Sequence, residues 1–384
     1  MLRRRRPPEG GNRHPQPYEA VKIGQIDLDS PFVVAPMAGM TDTAFRRLVK
    51  RKGGCGLVVT EMVSSEGLVR GIDRTLEYAE YTEEERPVSI QIFGGDPVKM
   101  AAAAQVVEGM GADIVDINMG CPVPKISKHN AGCSLMRDPE HAAGVVAAMV
   151  KAVRIPVTVK MRAGWNETSR NAAELAARVQ DAGAAAVTIH GRTAEQSYKG
   201  FADWQLVADV ASRLSIPVLG SGDCVEPEHV VEKIGANGIS GVLVGRGVLR
   251  NPWILAQAAD LAAGRRPQAV TLAARGQFLL EYIRLLLSEG VDEASGFRHV
   301  APGSECGSAD ANAPSAARGR ERWVINKIRA LCSWYSKGFE CGSHFRVRVN
   351  SCESVANLRE IIDEFFFTPP AGAARDVGIS LESV

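Results

Sequence analysis

The chain has 384 residues, of which 45% are hydrophobic, so it is long enough to bury a large core and to form more than one domain. Its 45 Lys and Arg residues balance 44 Asp and Glu residues, which excludes a global electrostatic field for nucleic acid and leaves only local basic clusters. The 8 cysteines are too few for a disulfide scaffold in a chain of this length, and they include no C-x-x-C pair, which argues against a zinc ribbon or an iron–sulfur site. We therefore expect a cytoplasmic enzyme with reduced thiols and no metal.

The first segment, residues 1–20, begins "MLRRRRPPEGGNRHPQP" and is rich in Arg, Pro and Gly. This composition predicts a disordered basic tail. No apolar stretch follows the positive start, so the segment is not typical of a secretory signal. No apolar run elsewhere approaches the roughly 20 residues that a membrane helix needs, so we expect no membrane segment.

Residues 21–265 contain short apolar runs that alternate with Ala-rich amphipathic stretches. The runs are FVVAPMA from Phe32, LVVTEM from Leu57, VSIQIFG from Val88, DIVDINMG from Asp113, PVTVKMR from Pro156, AAVTIHGR from Ala185, IPVLGSGD from Ile216 and SGVLVGR from Ser240. Strands this rich in Val and Ile are buried on both faces, which indicates a parallel sheet. The alternation predicts an α/β fold, a (β/α)8 TIM barrel. A doubly wound open sheet is the competing fold, but no G-x-G-x-x-G follows the first strand.

Polar residues follow many of these runs, and in a barrel the carboxyl ends of the strands carry the chemistry. Buried polar groups are costly unless they bind something, so their clustering predicts a site. They are Gln91, Asn118, Cys121, Lys160, Arg162, His190, Arg192, Asp223 and Arg246.

The last two strands end in glycine-rich turns, GSGDC and VGRG. Turns at these two strands form the usual phosphate site of a barrel, because bare backbone N–H groups can approach an anion. Arg246 would add a charged clamp. The sequence therefore predicts a phosphate-bearing ligand, although the glycines could also serve only to close tight turns.

Lys160 and His190 end the fifth and sixth strands. A buried lysine needs an anionic neighbour, and the edge of a reduced flavin would provide one. A Schiff-base lysine of an aldolase explains Lys160 equally well. His190 could be a satisfied core histidine, and Ala35 to Gly39 ("APMAG") could hold a flat ring or simply close a turn.

Residues 268–370 predict a smaller all-helical C-terminal domain, followed by a tail at 371–384. An insert at about 292–319 is rich in Gly, Ala, Ser and Pro and is predicted to be mobile. Helix resumes near Arg320, with Val324, Ile328, Leu331 and Tyr335 on one apolar face. Between residues 320 and 350, basic residues outnumber acidic ones and occur beside Trp334 and Tyr335, which is typical of an RNA-contacting surface or of a solvated helix face.

Six motifs in chain order resemble those of the tRNA-dihydrouridine synthases: APMAGMTDTAFR, SIQIFGGDP, DINMGCP, VKMRAGW, TIHGR and GSGD…VGRG…NPW. The resemblance implies an FMN-dependent barrel that acts on tRNA, with NADPH as reductant and a helical domain that binds the tRNA. It implies that the flavin is bound by Pro36, Met37, Ala38, Gln91, Lys160, His190, Ser221, Gly222, Asp223, Gly245 and Arg246. Cys121 would be the catalytic residue, and Asn118 and Arg162 would contact the substrate base.

The chemistry gives Cys121 a specific role. Hydride from reduced FMN to C6 of uracil leaves enolate character that must be quenched by a proton at C5. A cysteine thiol is mostly protonated at neutral pH and can supply that proton. Cys121 is thus expected to be an acid rather than a covalent nucleophile, with Gly120 clearing its approach and Pro122 stiffening the loop.

Two positions depart from the family pattern. Ser221 occupies a position that is usually Asn, which places one cofactor contact in doubt. Lys128 and His129 occupy a pair that is usually basic at both positions, and histidine is charged only part of the time near neutral pH.

Four alternatives stay open at this stage. The first is an FMN barrel acting on a free pyrimidine, as in dihydroorotate dehydrogenases, and the second is a ribosomal RNA substrate. The third is a flavin-free lysine aldolase or sugar-phosphate barrel, and the fourth is a non-catalytic RNA-binding module. We expect a monomer, although no sequence feature indicates the oligomeric state.

Overall fold

The computed structural model describes residues 18, 20–127, 130–288, 296–297 and 314–368, with side chains described from residue 319 onwards in the last range. Most of the predicted tail at 1–20, the tail at 371–384, the pair Lys128 and His129, and most of the predicted insert therefore lie outside the described residues.

The predicted TIM barrel is confirmed. The strands are β1 (Val21–Ile23), β2 (Ile26–Leu28), β3 (Phe32–Val34), β4 (Leu57–Val59), β5 (Val63–Ser64), β6 (Tyr81–Thr82), β7 (Val88–Phe93), β8 (Ile114–Met119), β9 (Val157–Arg162), β10 (Ala186–His190), β11 (Val218–Ser221), β12 (Gly241–Val244) and β13 (Gly296–Phe297). The parallel order β4-β3-β12-β11-β10-β9-β8-β7 closes through the pairing of β4 with β7. This closure excludes the doubly wound open sheet, and all eight predicted strands belong to the barrel.

Helices surround the barrel and follow it. They are α1 (Thr43–Lys52), α2 (Ser65–Val69), α3 (Asp73–Glu77), α4 (Pro97–Gly109), α5 (Pro124–Ser127), α6 (Pro139–Ala152), α7 (Ala172–Asp181), α8 (Trp204–Ala211), α9 (Pro227–Ala236), α10 (Arg246–Arg250), α11 (Ile254–Ala262), α12 (Leu272–Leu287), α13 (Pro314–Tyr335), α14 (Gly342–Ser351) and α15 (Val355–Phe367). The start of α4 shows how nearby residues determine where a helix begins. The Asp96 side chain caps the helix by accepting from the N–H groups of Val98 and Lys99, and Pro97 occupies the first turn.

The barrel interior is apolar at its amino-terminal end and polar above it. The β1–β2 hairpin contributes Val21, Ile23 and Leu28 to a buried cluster inside the strands. Above this cluster, a narrow cavity is lined by Asp116 and Lys160, among other residues. The polar side chains therefore face the carboxyl-terminal mouth of the barrel, where the sequence predicts the site.

The helical domain packs its aromatic residues against the barrel. Phe278 and Tyr282 of α12 meet Phe45 of α1 at ring centroid distances of 6.1 and 6.0 Å. Tyr335 lies 5.9 Å from Phe278 and is fully buried. Its predicted place on an RNA-contacting surface is therefore wrong, because this ring fills the core.

The predicted insert also differs at two points. Helix α13 begins at Pro314, inside the predicted insert, since proline is favoured in the first turn of a helix and an Ala-Ala pair follows it. Gly296 and Phe297 form β13, which pairs antiparallel with β6, and Phe297 stacks on Tyr81. These two residues of the predicted insert thus form a small separate sheet with β6, in the segment between β5 and β7.

Within the described ranges, no helix has both the length and the apolar character required to cross a bilayer.

Candidate active site

Cys121 lies in the loop that follows β8, and backbone hydrogen bonds hold it in place. Its N–H donates to Asn118 Oδ1 at 2.9 Å, and the Gly120 N–H donates to the same oxygen at 3.1 Å. The Cys121 carbonyl accepts from the Cys133 N–H at 3.1 Å. Burial raises the pKa of the Cys121 thiol, and a hydrogen bond to Val123 and the charge of Arg162 only partly oppose this. The thiol is therefore protonated at neutral pH.

A chain of side-chain hydrogen bonds connects Asn118 to the neighbouring strands. Asn118 Nδ2 donates to Gln91 Oε1 at 2.8 Å, and Gln91 Nε2 donates to Asp116 Oδ2 at 2.7 Å. Thr158 Oγ1 donates to Asp116 Oδ1 at 2.6 Å. Both the nitrogen and the oxygen of the Asn118 amide are thus hydrogen-bonded. This residue can therefore orient the Cys121 loop.

Lys160 is a charged group at the mouth that lacks a direct partner among the described residues. Its ammonium forms no hydrogen bond or ion pair with any residue that the structure describes. Burial lowers the pKa of Lys160 to about 8, with a further contribution from Arg162, while Asp116 opposes the shift. A cation in this setting is stabilised by an anion placed beside it.

Arg162 joins two loops of the mouth. Its Nε donates to the Gly120 carbonyl at 2.8 Å, and its Nη1 donates to the carbonyls of Thr193 and Ser197 at 2.8 and 3.0 Å. Its exposed fraction is 4%. Most of the donors of this predicted substrate residue therefore hold the loops on either side of the site.

His190 lies among several cations. Burial lowers the pKa of His190 to about 2, and the charges of Lys160, Arg162, Arg192 and Arg246 add to the effect. The ring is therefore neutral at physiological pH. A Cβ at position 222 would lie 3.2 Å from the His190 ring. The absence of a side chain at Gly222 therefore allows its backbone to lie close to this ring.

Asp223 binds a neighbouring arginine. Arg192 donates to both oxygens of Asp223 at 2.7 and 2.9 Å, and the Ala202 N–H donates to one of them at 2.7 Å. Arg246 lies 3.6 Å from the same carboxylate, with 46% of its side chain exposed. Within the described chain, the backbone N–H groups of Gly222 and Asp223 have no acceptor. Arg246 and these N–H groups remain available to an anion.

The loop after β3 carries Pro36, Met37 and Ala38. Pro36 borders the cavity that contains Lys160, and the Met37 sulfur lies 3.5 Å from the position that a Cβ would take at Gly245. The ends of the first and last barrel strands therefore meet at one side of the mouth. Ser221, at the end of β11, pairs in register with His190.

Three residues of the barrel mouth were not predicted from the sequence. Asp116 is central to the amide chain, but only strand register reveals that Gln91 and Thr158 flank it. Tyr198 is 61% exposed, and its ring lies 6.0 Å from the Arg162 guanidinium and 5.2 Å from that of Arg246. Glu61 is buried beneath the loop after β3. Its position two residues after an apolar strand, β4, was the signal that could have identified it.

A sequence profile of the dihydrouridine synthase (Dus) family matches residues 33–367. This chain belongs to that family. The match includes both the barrel and the helical domain, so the dihydrouridine synthase resemblance inferred from the motifs is confirmed over nearly all of the described chain.

Individual relatives of this dihydrouridine synthase family agree. A probable tRNA-dihydrouridine synthase of Rhodobacter capsulatus is 42% identical over 271 residues, which is 70% of this chain and 83% of the relative. One from Rickettsia conorii is 34% identical over 351 residues, covering 90% of this chain and 96% of the relative. The tRNA-dihydrouridine synthase B of Shewanella oneidensis is 38% identical over 267 residues, covering 69% of this chain and 83% of the relative.

Proposed function

We propose that the protein is a tRNA-dihydrouridine synthase, which reduces the C5=C6 bond of uridines in tRNA with FMN as cofactor and NADPH as reductant. The observation that carries the proposal is the protonated Cys121 thiol at the same barrel mouth as an unpaired lysine, in a chain of the dihydrouridine synthase family. The names of the relatives support tRNA as the substrate.

The residues present fit FMN. Lys160 forms no hydrogen bond or ion pair within the described chain, where the charge of Asp116 only partly offsets its burial, and the flavin edge becomes anionic on reduction. The unused N–H groups of Gly222 and Asp223, together with the exposed Arg246 guanidinium, suit a phosphate. Pro36, Met37, Ala38, Gln91 and His190 would border the ring, and Ser221 and Gly245 would border the phosphate end. The Asp223 carboxylate would act indirectly, since it already holds Arg192.

When bound and reduced, FMN supplies the hydride that adds to C6 of the uracil. The protein's task is to supply a proton to C5 from the opposite face. Cys121 carries that proton on its sulfur, and the raised pKa keeps it there until enolate character develops at C5. Asn118 and Arg162 hold the loop that carries the thiol, through the Cys121 N–H and the Gly120 carbonyl.

The helical domain would bind the tRNA. Turning a base out of its stack costs about a few kcal/mol, which contacts to phosphates can offset. Trp323 is 39% exposed and lies 4.8 Å from the Arg320 guanidinium, so this aromatic replaces Tyr335 as the ring available to RNA. A location in the cytoplasm and the monomeric state stay predictions.

The test is a visible spectrum of the purified protein, followed by activity assays under NADPH. We expect a flavin spectrum and dihydrouridine formation in bulk unmodified tRNA, but no reduction of the C5=C6 bond in ribosomal RNA, free uridine or orotate. A colourless protein that gains no colour with added FMN would contradict the cofactor. Activity on free pyrimidines alone would favour the dihydroorotate dehydrogenase-like alternative.

A further inference from the structure

A polar cluster connects the helical domain to the barrel. Lys327 of α13 forms an ion pair with the Asp42 carboxylate, and their side chains are only 11% and 17% exposed. Tyr282 of α12 donates its hydroxyl to the same carboxylate at 2.7 Å. Asp42 also caps α1 by accepting from the Phe45 N–H at 2.9 Å. Lys327 lies in the basic stretch 320–350, which was interpreted as an RNA-contacting surface or a solvated helix face, yet its ammonium is directed into the protein.

Glu61 extends this cluster towards the barrel mouth. Its Oε1 lies 4.0 Å from the Lys327 ammonium, and its side chain is 7% exposed. Its other oxygen accepts a hydrogen bond from the Gly39 N–H. Burial raises the pKa of Glu61, whereas the Gly39 hydrogen bond and the Lys327 charge oppose that rise. Lys327 therefore helps to keep this buried carboxylate ionised and able to accept strongly.

Gly39 lies in the loop that connects β3 to α1 and contains Pro36, Met37 and Ala38. The base of the loop is closed by the Met37 N–H, which donates to Thr41 Oγ1 at 3.0 Å. The Met40 and Thr41 N–H groups also donate to the Met37 carbonyl, at 3.0 and 3.1 Å, so the chain forms a turn here. Gly39 itself adds no side-chain packing, and a Cβ at this position would have no heavy atom within 4 Å. The Glu61 carboxylate is thus a contact from outside the loop that helps to position its tip.

We propose that Lys327 is a positioning residue for the cofactor: acting through Glu61 and Gly39, it sets the loop that borders the flavin. This inference rests on the proposed function, because it assumes that FMN lies against Pro36, Met37 and Ala38. It makes the helical domain part of the flavin site before any RNA is bound. A lysine that only contacted RNA would have no such effect.

The test measures FMN affinity of the full-length apoprotein by fluorescence titration in the absence of RNA. For Lys327→Met we expect FMN to bind about tenfold more weakly, the size of one lost charge-assisted contact. Lys327→Arg keeps the charge and should bind FMN within about twofold of the wild type. The matched control is Lys151→Met, an exposed lysine on α6 at the outside of the barrel, which should leave the FMN affinity unchanged.

A double-mutant cycle tests whether Lys327 affects FMN binding through Glu61. If Lys327 acts through Glu61, the combination of Glu61→Gln and Lys327→Met should weaken FMN binding little more than either change alone. Additive losses would overturn the route through Glu61. Should Lys327→Met not fold, Glu61→Gln alone must still weaken FMN binding, and wild-type affinity in that variant would refute the inference.

The outcomes separate this inference from the proposed function. Wild-type protein that binds FMN, with Lys327→Met binding it equally well, would overturn the inference alone. Weaker RNA binding in Lys327→Met with unchanged FMN affinity would overturn it as well and would return Lys327 to the RNA surface. Wild-type protein that binds no FMN would overturn the proposed function, and the inference with it.

Discussion

The two halves of the barrel mouth use different physical means. At the ends of β9 to β12, Lys160, Arg192 and Arg246 surround a neutral His190, and the dominant feature is positive charge. At the ends of β7 and β8, the chain from Asp116 through Gln91 to Asn118 is uncharged beyond its first member and ends on the Cys121 backbone. We expect one half to attract an anion and the other to fix the position of the proposed proton donor. Substitutions in the two halves should therefore impair different properties of the protein.

The largest effect is expected for Cys121→Ala. Removing the acid should lower the rate of dihydrouridine formation about a thousandfold, while FMN binds and is reduced as in the wild type. The control is Cys133→Ala, which removes the buried sulfur of the same loop and should retain most of the activity. Near wild-type activity of Cys121→Ala, measured as dihydrouridine formed in tRNA, would refute the acid role.

Asn118→Ala should lower the maximal rate about a hundredfold, because the amide that orients the Cys121 loop is lost. A positioning role predicts a lower kcat with little change in KM for tRNA. The role predicted from the motifs, a contact to the substrate base, predicts a higher KM instead. Steady-state kinetics with tRNA therefore distinguishes the two roles of Asn118.

Lys160→Met should affect the other half of the mouth. We expect FMN to bind about thirtyfold more weakly, since the cation that is proposed to face the flavin is lost. The free energy of unfolding of the apoprotein should rise by about 1–3 kcal/mol, because a costly buried charge is removed. Chemical denaturation and FMN titration measure both effects, and a less stable apoprotein with unchanged FMN affinity would contradict this view of Lys160.

A pH series tests the same lysine with a smaller effect. Since the pKa of Lys160 is about 8, the ammonium loses its proton between pH 7 and 9, and FMN affinity should fall by up to about tenfold over that range. In the apoprotein, the effect of Lys160 on the free energy of unfolding changes with pH in the opposite direction. The unfolded lysine titrates near 10.5, so the unfolded state binds more protons above pH 8 and this group makes the free energy of unfolding rise with pH there. Both slopes should disappear in Lys160→Met.

The smallest effect is expected on RNA. Arg322 is exposed on α13, and Arg322→Met should weaken tRNA binding about threefold and reduce the salt dependence by about one phosphate contact. FMN affinity should not change. Filter binding at several salt concentrations measures this, with Lys151→Met as the control, and an unchanged salt slope would place the RNA elsewhere.

The sequence predicted the elements better than the contacts between them. Each barrel strand was visible because buried parallel strands are continuous runs of apolar residues, and the start of α4 was visible because Asp96 and Pro97 are local signals. The amide chain was not visible, since Gln91, Asp116 and Asn118 meet only through the register of β7 and β8. Lys327 forms an ion pair with Asp42, although nearly the whole barrel sequence separates the two residues. No local sequence pattern indicates that pairing.

The helical domain shows the same limit. The spacing of Val324, Ile328, Leu331 and Tyr335 correctly predicted a buried face of α13. The basic residues opposite that face were predicted to contact RNA, but Arg329 donates to the carbonyls of Val349 and Cys352. Long cationic side chains can satisfy backbone carbonyls of neighbouring helices, and composition cannot distinguish this use from an RNA contact.

The most direct test of this division of labour is an anaerobic single-turnover experiment, in which reduced, FMN-saturated protein is mixed with unmodified tRNA. Wild-type protein and FMN-saturated Lys160→Met should both form dihydrouridine as their flavin is reoxidised, whereas Cys121→Ala should do neither at a comparable rate. Equal rates for Cys121→Ala and the wild type would contradict the claim that the Cys121 thiol delivers the proton.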